Sequence, residues 1–355
     1  MAITRWSRAK ETRAGEIASL ARRLRELGVP GFALATFDRD GIRSVAEAGL
    51  ADVARGQKVT ARTLFQAGSI SKAVATVGAL RLVEGGTLSL DEDVNRLLSE
   101  WKVPKSRYTR TEPVTLRRIL THSAGLTVHG FPGYRRGTRL PSVRQILEGV
   151  KPANTETIRV TYRPGTRVRY SGGGFVVLQY LMEQVTGTPF RDLMSRLVLR
   201  PAGMRSSGYH QPLPRRLWRR AARGYDDRRS VVKGGWHTYP ELAPAGLWTT
   251  APDLARLGTE LLAEIAGRSS RILSPRMARL MVTPQIGDWG LGWGVRRQGR
   301  LTIFEHSGQN SGYRGHLAAV IGGPGIAVLT NSVPAGAELI QEILSSALSL
   351  SSVGR

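Results

Sequence analysis

The chain has 355 residues, with 52 Lys and Arg against 27 Asp and Glu, a formal charge of +25, 41% hydrophobic residues and 22% charged ones. That balance excludes a disordered, collagen-like or coiled-coil chain and leaves ample apolar material for one large or two interleaved domains. With no cysteine there are no disulfides, thiolate metal sites or Cys nucleophile, and no apolar run of about 18 residues marks a transmembrane helix. In chain order, residues 10–27 carry Ile17, Leu20, Leu24 and Leu27 at helical spacing and stop at Gly28 and Pro30. GFALATFD (31–38) and IRSVAEAGLAD (42–52) flank Asp40-Gly41 and read as a β-hairpin. A long apolar helix is predicted from about 69 to Gly85-Gly86. VTLRRILTHSAGL reads as a helix stopped by a Ser-Ala-Gly turn, and the Gly-, Pro- and Arg-rich residues 127–170 as extended loop. Helices follow at 175–187, 189–203 and 249–267, the last with a Thr250/Asp253 capping box. Strand patterns return at about 290 in GLGWGVRR, LTIFEHSG, RGHLAAVI and GIAVLTNS, and an amphipathic helix ends the chain.

A hairpin cannot bury its apolar face alone, so its natural partners are the C-terminal strands. The expected fold is α/β (α+β): an antiparallel sheet built from both ends, residues 1–68 and 288–355, flanked by terminal helices. A mostly helical insertion, 69–287, packs on its other face, with a cleft at the seam. The charged N-terminus lacks an apolar core and does not read as a secretory signal, which points to the cytoplasm unless a signal was trimmed.

The excess charge is carried mainly by arginine, since only seven residues are Lys. The densest cluster is Arg215, Arg216, Arg219, Arg220, Arg223, Arg228 and Arg229. No zinc-finger spacing, RNP aromatics or basic region accompanies it, so it reads as a solvated loop and no specific nucleic-acid partner is expected. Charge alone still implies general attraction to anions.

The six His show no metal-ligand spacing, there is no phosphate loop, and no G-x-S-x-G pentapeptide occurs. What remains is Ser with Lys three residues later, one helical turn away on the same face. Four such pairs exist: Ser7–Lys10, Ser69–Lys72, Ser99–Lys102 and Ser230–Lys233. Only Ser69 opens an apolar helix, where a free N–H and the helix dipole favour developing negative charge. Only Lys72 is set in an apolar wall able to depress its pKa. Tyr170, before a helix entrance, is a candidate proton shuttle as tyrosinate beside a lysine ammonium. Glu305 through Asn310 reads as a strand end opening into a turn, with a backbone N–H available to a substrate oxygen.

Phe65-Gln66-Ala67-Gly68-Ser69-Ile70-Ser71-Lys72 resembles the S-x-x-K motif of the serine β-lactamase and penicillin-binding protein superfamily. Ile119 to Leu126 resembles its LLTHTSGL segment, Tyr170-Ser171-Gly172 its Y-x-N motif, and His306-Ser307-Gly308 its K-T-G motif in the H-x-G form. Ala245 to Thr250 and His306 to Gly315 are similar to the class C-related branch, which includes family VIII carboxylesterases. The resemblance runs in order from about residue 15 to 350. It implies a serine hydrolase working through an acyl-enzyme on a small ester, amide or β-lactam-like substrate, without cofactor or metal. A D-Ala-D-Ala carboxypeptidase-like or D-aminopeptidase-like activity, or a non-catalytic binding protein, are the alternatives. Ser69 would be the nucleophile, Lys72 and Tyr170 the proton-transfer pair, and the N–H groups of Ser69 and Gln309 the oxyanion hole. His306, Ser307, Gly308 and Gly172 would line the substrate side, while His122 reads as structural. Two departures stand out: Gly172 replaces the motif's Asn, and His306 replaces Lys, which makes a fixed positive charge pH-dependent.

Overall fold

A computed structural model describes residues 22–351. The predicted first helix is seen over 22–27 (α1), its earlier part lying outside the described residues. The hairpin forms as β1 (Gly31–Asp38) and β2 (Gly41–Asp52), followed by the short β3 (Gln57–Lys58) and β4 (Phe65–Gln66). The middle of the chain supplies α2 (Ile70–Glu84), α3 (Leu116–Leu120), β5 (Tyr134–Arg135), α4 (Val143–Glu148) and α5 (Gly172–Thr186). Then come α6 (Phe190–Met194), β6 (His237–Thr238), α7 (Leu242–Ala245), β7 (Trp248–Thr249), α8 (Ala251–Ile265) and α9 (Pro275–Met281). The last elements are β8 (Gly294–Gln298), β9 (Leu301–Asn310), β10 (Tyr313–Val320), β11 (Gly325–Thr330) and α10 (Ala335–Ser351).

The N-terminal hairpin does join the C-terminal strands: one seven-stranded antiparallel sheet has the order β3-β2-β1-β11-β10-β9-β8. Period-2 alternation decides which side chain meets which layer. Phe32 and Leu34 of β1 pack with Leu24, Leu339, Ile340 and Ile343 under the terminal helices. Ala33, Ala35 and Phe37 point the other way into the larger core shared with α2, α5 and α8. Burying a Phe or Leu fully contributes roughly 1.5–3 kcal/mol each over leaving it exposed, so a one-residue slip of β1 is strongly disfavoured.

Two readings are corrected. Residues 127–170 are not all loop: Ser142 and Gln145 form a reciprocal capping box that starts α4, and Gly149 ends it in the left-handed conformation. The run Glu305 to Asn310 does not break into a turn, because β9 continues to Asn310 and only Ser311-Gly312 turn back into β10. Thr250 caps α8 through Asp253 N–H, but the Asp253 side chain is drawn away to Ser206, Ser207 and Arg256. Among the described residues, no helix is long and apolar enough to cross a membrane.

Candidate active site

Helix α2 is apolar on all sides and buried along nearly its whole length, so it runs through the core between sheet and helices. Ser69 stands at its N-cap position with a helical backbone and makes no side-chain cap, which leaves the hydroxyl for other partners. One turn on, Lys72 is 2% exposed. Its Nζ donates to Ser69 Oγ at 2.9 Å and to the Pro244 carbonyl at 3.0 Å. No carboxylate is among these partners, so burial is uncompensated and pulls the Lys72 pKa from 10.5 down to about 7.

Tyr170 closes this space from the entrance of α5. Its ring centre lies 4.9 Å from Lys72 Nζ. Burial pushes its phenol well above 10, an effect the nearby Ser69 hydroxyl partly opposes. The phenol is therefore neutral at physiological pH, not the tyrosinate expected from sequence. Its position is fixed by Ser171, which caps α5 by accepting the Gly174 N–H at 2.9 Å and donates to the Thr127 carbonyl at 2.9 Å. The Ser171 N–H donates to His122 Nδ1 at 3.1 Å, and the His122 ring lies 4.2 Å from that of Tyr170. His122 is thus a neighbour that holds Tyr170 in place.

The sheet contributes β9. Asn310 and Tyr313 face each other across the two-residue turn, so Gln309 occupies a position whose N–H points away from β10. Strand β8 pairs only as far as Glu305, which leaves that edge of β9 uncovered beyond it. The edge is filled by the Ala67–Ile70 turn. A Cβ on Gly68 would lie 2.4 Å from Gln309 N, and one on Gly308 would lie 1.9 Å from the Ala67 carbonyl oxygen. Gly68 also holds φ +53, a left-handed conformation that glycine adopts without penalty. The Gln309 N–H is thereby carried to the turn that bears Ser69, and hydrogen bonds from Asn310 Nδ2 to Gln66 Oε1 and the Ala245 carbonyl tie the same seam.

His306 is 5% exposed and donates Nδ1–H to the Ser307 carbonyl at 2.7 Å. Burial, reinforced by Lys72, holds its pKa down at about 3. The pH-dependent positive charge anticipated here is absent: the hydrogen bond to Ser307 and the weaker pull of Glu305 do not offset the loss of hydration. Ser307 alternates to the other face of β9 and is exposed. Gly172 opens α5, and a Cβ there would lie 2.8 Å from the Phe131 ring and 3.0 Å from the His129 carbonyl. Phe131 therefore fills the place into which the motif's Asn would project.

The structure brings Ser69, Lys72, Tyr170, His306, Gly308 and the Gln309 backbone around one site, with Gly172 beside it, and turns the Ser307 side chain away. Sequence reasoning missed the Pro244 carbonyl, Phe131 and Trp289, whose ring lies 4.6 Å from His122 and 6.0 Å from His306. Nothing in a sequence marks a carbonyl as an acceptor, and Phe131 and Trp289 come from irregular segments without periodicity. Among the described residues, no group of His, Asp and Glu is arranged to hold a metal ion.

A family profile described as Beta-lactamase matches residues 17–347. An uncharacterised protein of Mycobacterium tuberculosis is 31% identical over 274 residues, which cover 71% of this chain and 67% of that protein. The esterase EstB of Burkholderia gladioli is 31% identical over 178 residues, 48% of this chain and 44% of the esterase. The octameric penicillin-binding protein homologue from Pyrococcus abyssi shares the fold with a TM-score of 0.76 at 23% identity, covering 95% of this chain and 77% of that one.

Proposed function

The chain belongs to the Beta-lactamase family, and from that membership we propose that it is a serine hydrolase that cleaves small, uncharged esters, and more slowly amides, through an acyl-enzyme on Ser69. One observation carries the reading: a buried lysine with a pKa of about 7 donating to the hydroxyl at the head of a buried helix. Near neutral pH about half of such an amine is unprotonated, and a free amine at this distance is a competent general base.

In the proposed reaction neutral Lys72 takes the Ser69 proton as Oγ attacks the substrate carbonyl. The resulting oxyanion is met by the N–H groups of Ser69 and Gln309, aided by the positive end of α2. Lys72 ammonium returns its proton to the leaving alkoxide through the neutral phenol of Tyr170, and the alcohol departs. Water then attacks the acyl-serine, giving its proton to Lys72, and the carboxylate product leaves Ser69 reprotonated.

Two features support uncharged esters over carboxylate-bearing peptides and β-lactams. His306 offers no positive charge at neutral pH. Phe131 in place of an Asn amide gives an apolar wall without a partner for an acyl-amide group. The similarity to an esterase over part of the chain agrees with this reading. The test is intact-protein mass spectrometry after exposure to p-nitrophenyl esters, D-Ala peptides and penicillin. The expected result is an acyl adduct on Ser69 from the esters first. No adduct from any of them, with the protein folded, refutes the proposal and favours a non-catalytic binding role.

A further inference from the structure

The Arg-rich stretch, which ester hydrolysis does not use, lies beside the segment leading into Ser69. Residues Arg215–Arg220 form a 3₁₀ helix. The Arg220 carbonyl accepts the Leu64 N–H at 2.7 Å, and Ala222 N–H donates to the Leu64 carbonyl at 2.9 Å. These bonds lay the stretch alongside residues 55–63. Between the two opens a groove of about 500 Å³ whose wall carries Arg55, Lys58, Arg62, Arg219 and Arg220, with Gln57 and two threonines.

Five cations face one concave space, and among the described residues no carboxylate lines it. Asp52, which does not line the groove, accepts from Arg223 Nε at 3.0 Å and pairs with Arg55 Nε at 3.7 Å, so the excess charge of the groove rests on Lys58, Arg62, Arg219 and Arg220. Arg220 donates only to neutral acceptors here, the Ser206 hydroxyl at 2.8 Å and the Arg62 carbonyl at 3.1 Å. Burial and the charge of Arg62 draw its pKa down, against the weaker pull of Asp253. Gathering four cations that have no carboxylate partner among the described residues raises the free energy of the unliganded protein, and an anion entering the groove lowers it. Four of the five are Arg, whose planar fork matches phosphate oxygens in pairs. The space is a pocket of ligand size, and a backbone-tracking stripe with stacking aromatics is not what lines it.

We propose that this groove is a binding site for a small soluble ligand bearing two or more phosphate groups, separate from the Ser69 site. The cations stand on both walls, so a ligand with a single phosphate satisfies only one side. The test is calorimetric titration of the full chain with inorganic tripolyphosphate at about 50 mM salt, where screening is modest. The expected result is saturable binding of one ion per chain. Arg62→Gln and Arg219→Gln each weaken it about tenfold, as does raising salt to about 200 mM. Arg300→Gln, which removes the same charge beyond the opposite sheet edge in the β8–β9 turn, leaves it unchanged. Far-UV circular dichroism and thermal unfolding report that every variant is folded, whether or not the chain turns over esters. Absence of saturable binding, or equal loss in all three variants, overturns the proposal. So does tighter binding to a random DNA duplex that survives both groove substitutions.

Discussion

Replacing Lys72 by Met separates the chemistry of the site from its effect on stability. The side chains are similar in length, and Met suits the apolar surroundings. In the folded chain Lys72 has a pKa of about 7, against 10.5 when unfolded. Between those values the unfolded chain holds a proton that the folded chain does not, so stability rises with pH across this window. Below about pH 7 both states are protonated and the full penalty applies, roughly 4–5 kcal/mol for this shift. Met abolishes that penalty but forfeits the bonds to Ser69 and Pro244, about 1 kcal/mol each. The expected outcome near pH 6–7 is a variant more stable by about 2 kcal/mol, seen as a melting temperature a few degrees higher. Ester turnover falls by about 10³-fold or more with the base gone. The stability gain shrinks and then reverses toward about pH 10, where the parent lysine folds at no charge penalty. Thermal unfolding followed by circular dichroism at several pH values reads this directly. A variant less stable than its parent at every pH would refute the argument that uncompensated burial governs Lys72.

The parent enzyme's kcat/KM should rise about tenfold from about pH 6 to pH 8 and level off, as the base form of Lys72 fills; a flat profile would remove it as the base. Ser69→Ala should lower p-nitrophenyl ester turnover by about 10⁴-fold without unfolding the chain, and retention of activity would reassign the nucleophile. The His306 ring should show no titration by NMR from about pH 5 to pH 9, because its protonation is held near 3. Gly172→Asn should lose about 1–2 kcal/mol through collision with Phe131, and Phe131→Ala in the same chain should recover most of it; no recovery would mean that the His129 carbonyl sets the limit.

The sheet was legible because its strands advertise themselves: β1 alternates Phe32/Leu34 against Ala33/Phe37, and its partners at the far end show the same period. Ser69 and Lys72 could be chosen among four Ser–Lys pairs because only they lie in an apolar helix. The charge states at the site were less legible. Whether His306 or Tyr170 ionises depends on how much water and which charges surround it, and part of that setting, Lys72 beside His306 and Ser69 beside Tyr170, comes from far along the chain. The fate of the Gly172 space was also hidden, since Phe131 belongs to a stretch that reads as loop. The capping box of α4 was visible as Ser142 and Gln145 but was outweighed by the surrounding Gly, Pro and Arg.

The abutment of Gly308 on the Ala67 carbonyl leaves less than a methyl group's room between two pieces of main chain. Such a join has no side-chain adjuster: nothing can be lengthened, shortened or rotated to open it. On the proposed chemistry, the Ser69 hydroxyl and the Gln309 amide are consequently held in register by abutting peptide planes, with the Asn310 side chain tying the same seam. On that reading, the side chains lining the site can be exchanged residue by residue while Ser69 and Gln309 keep their spacing.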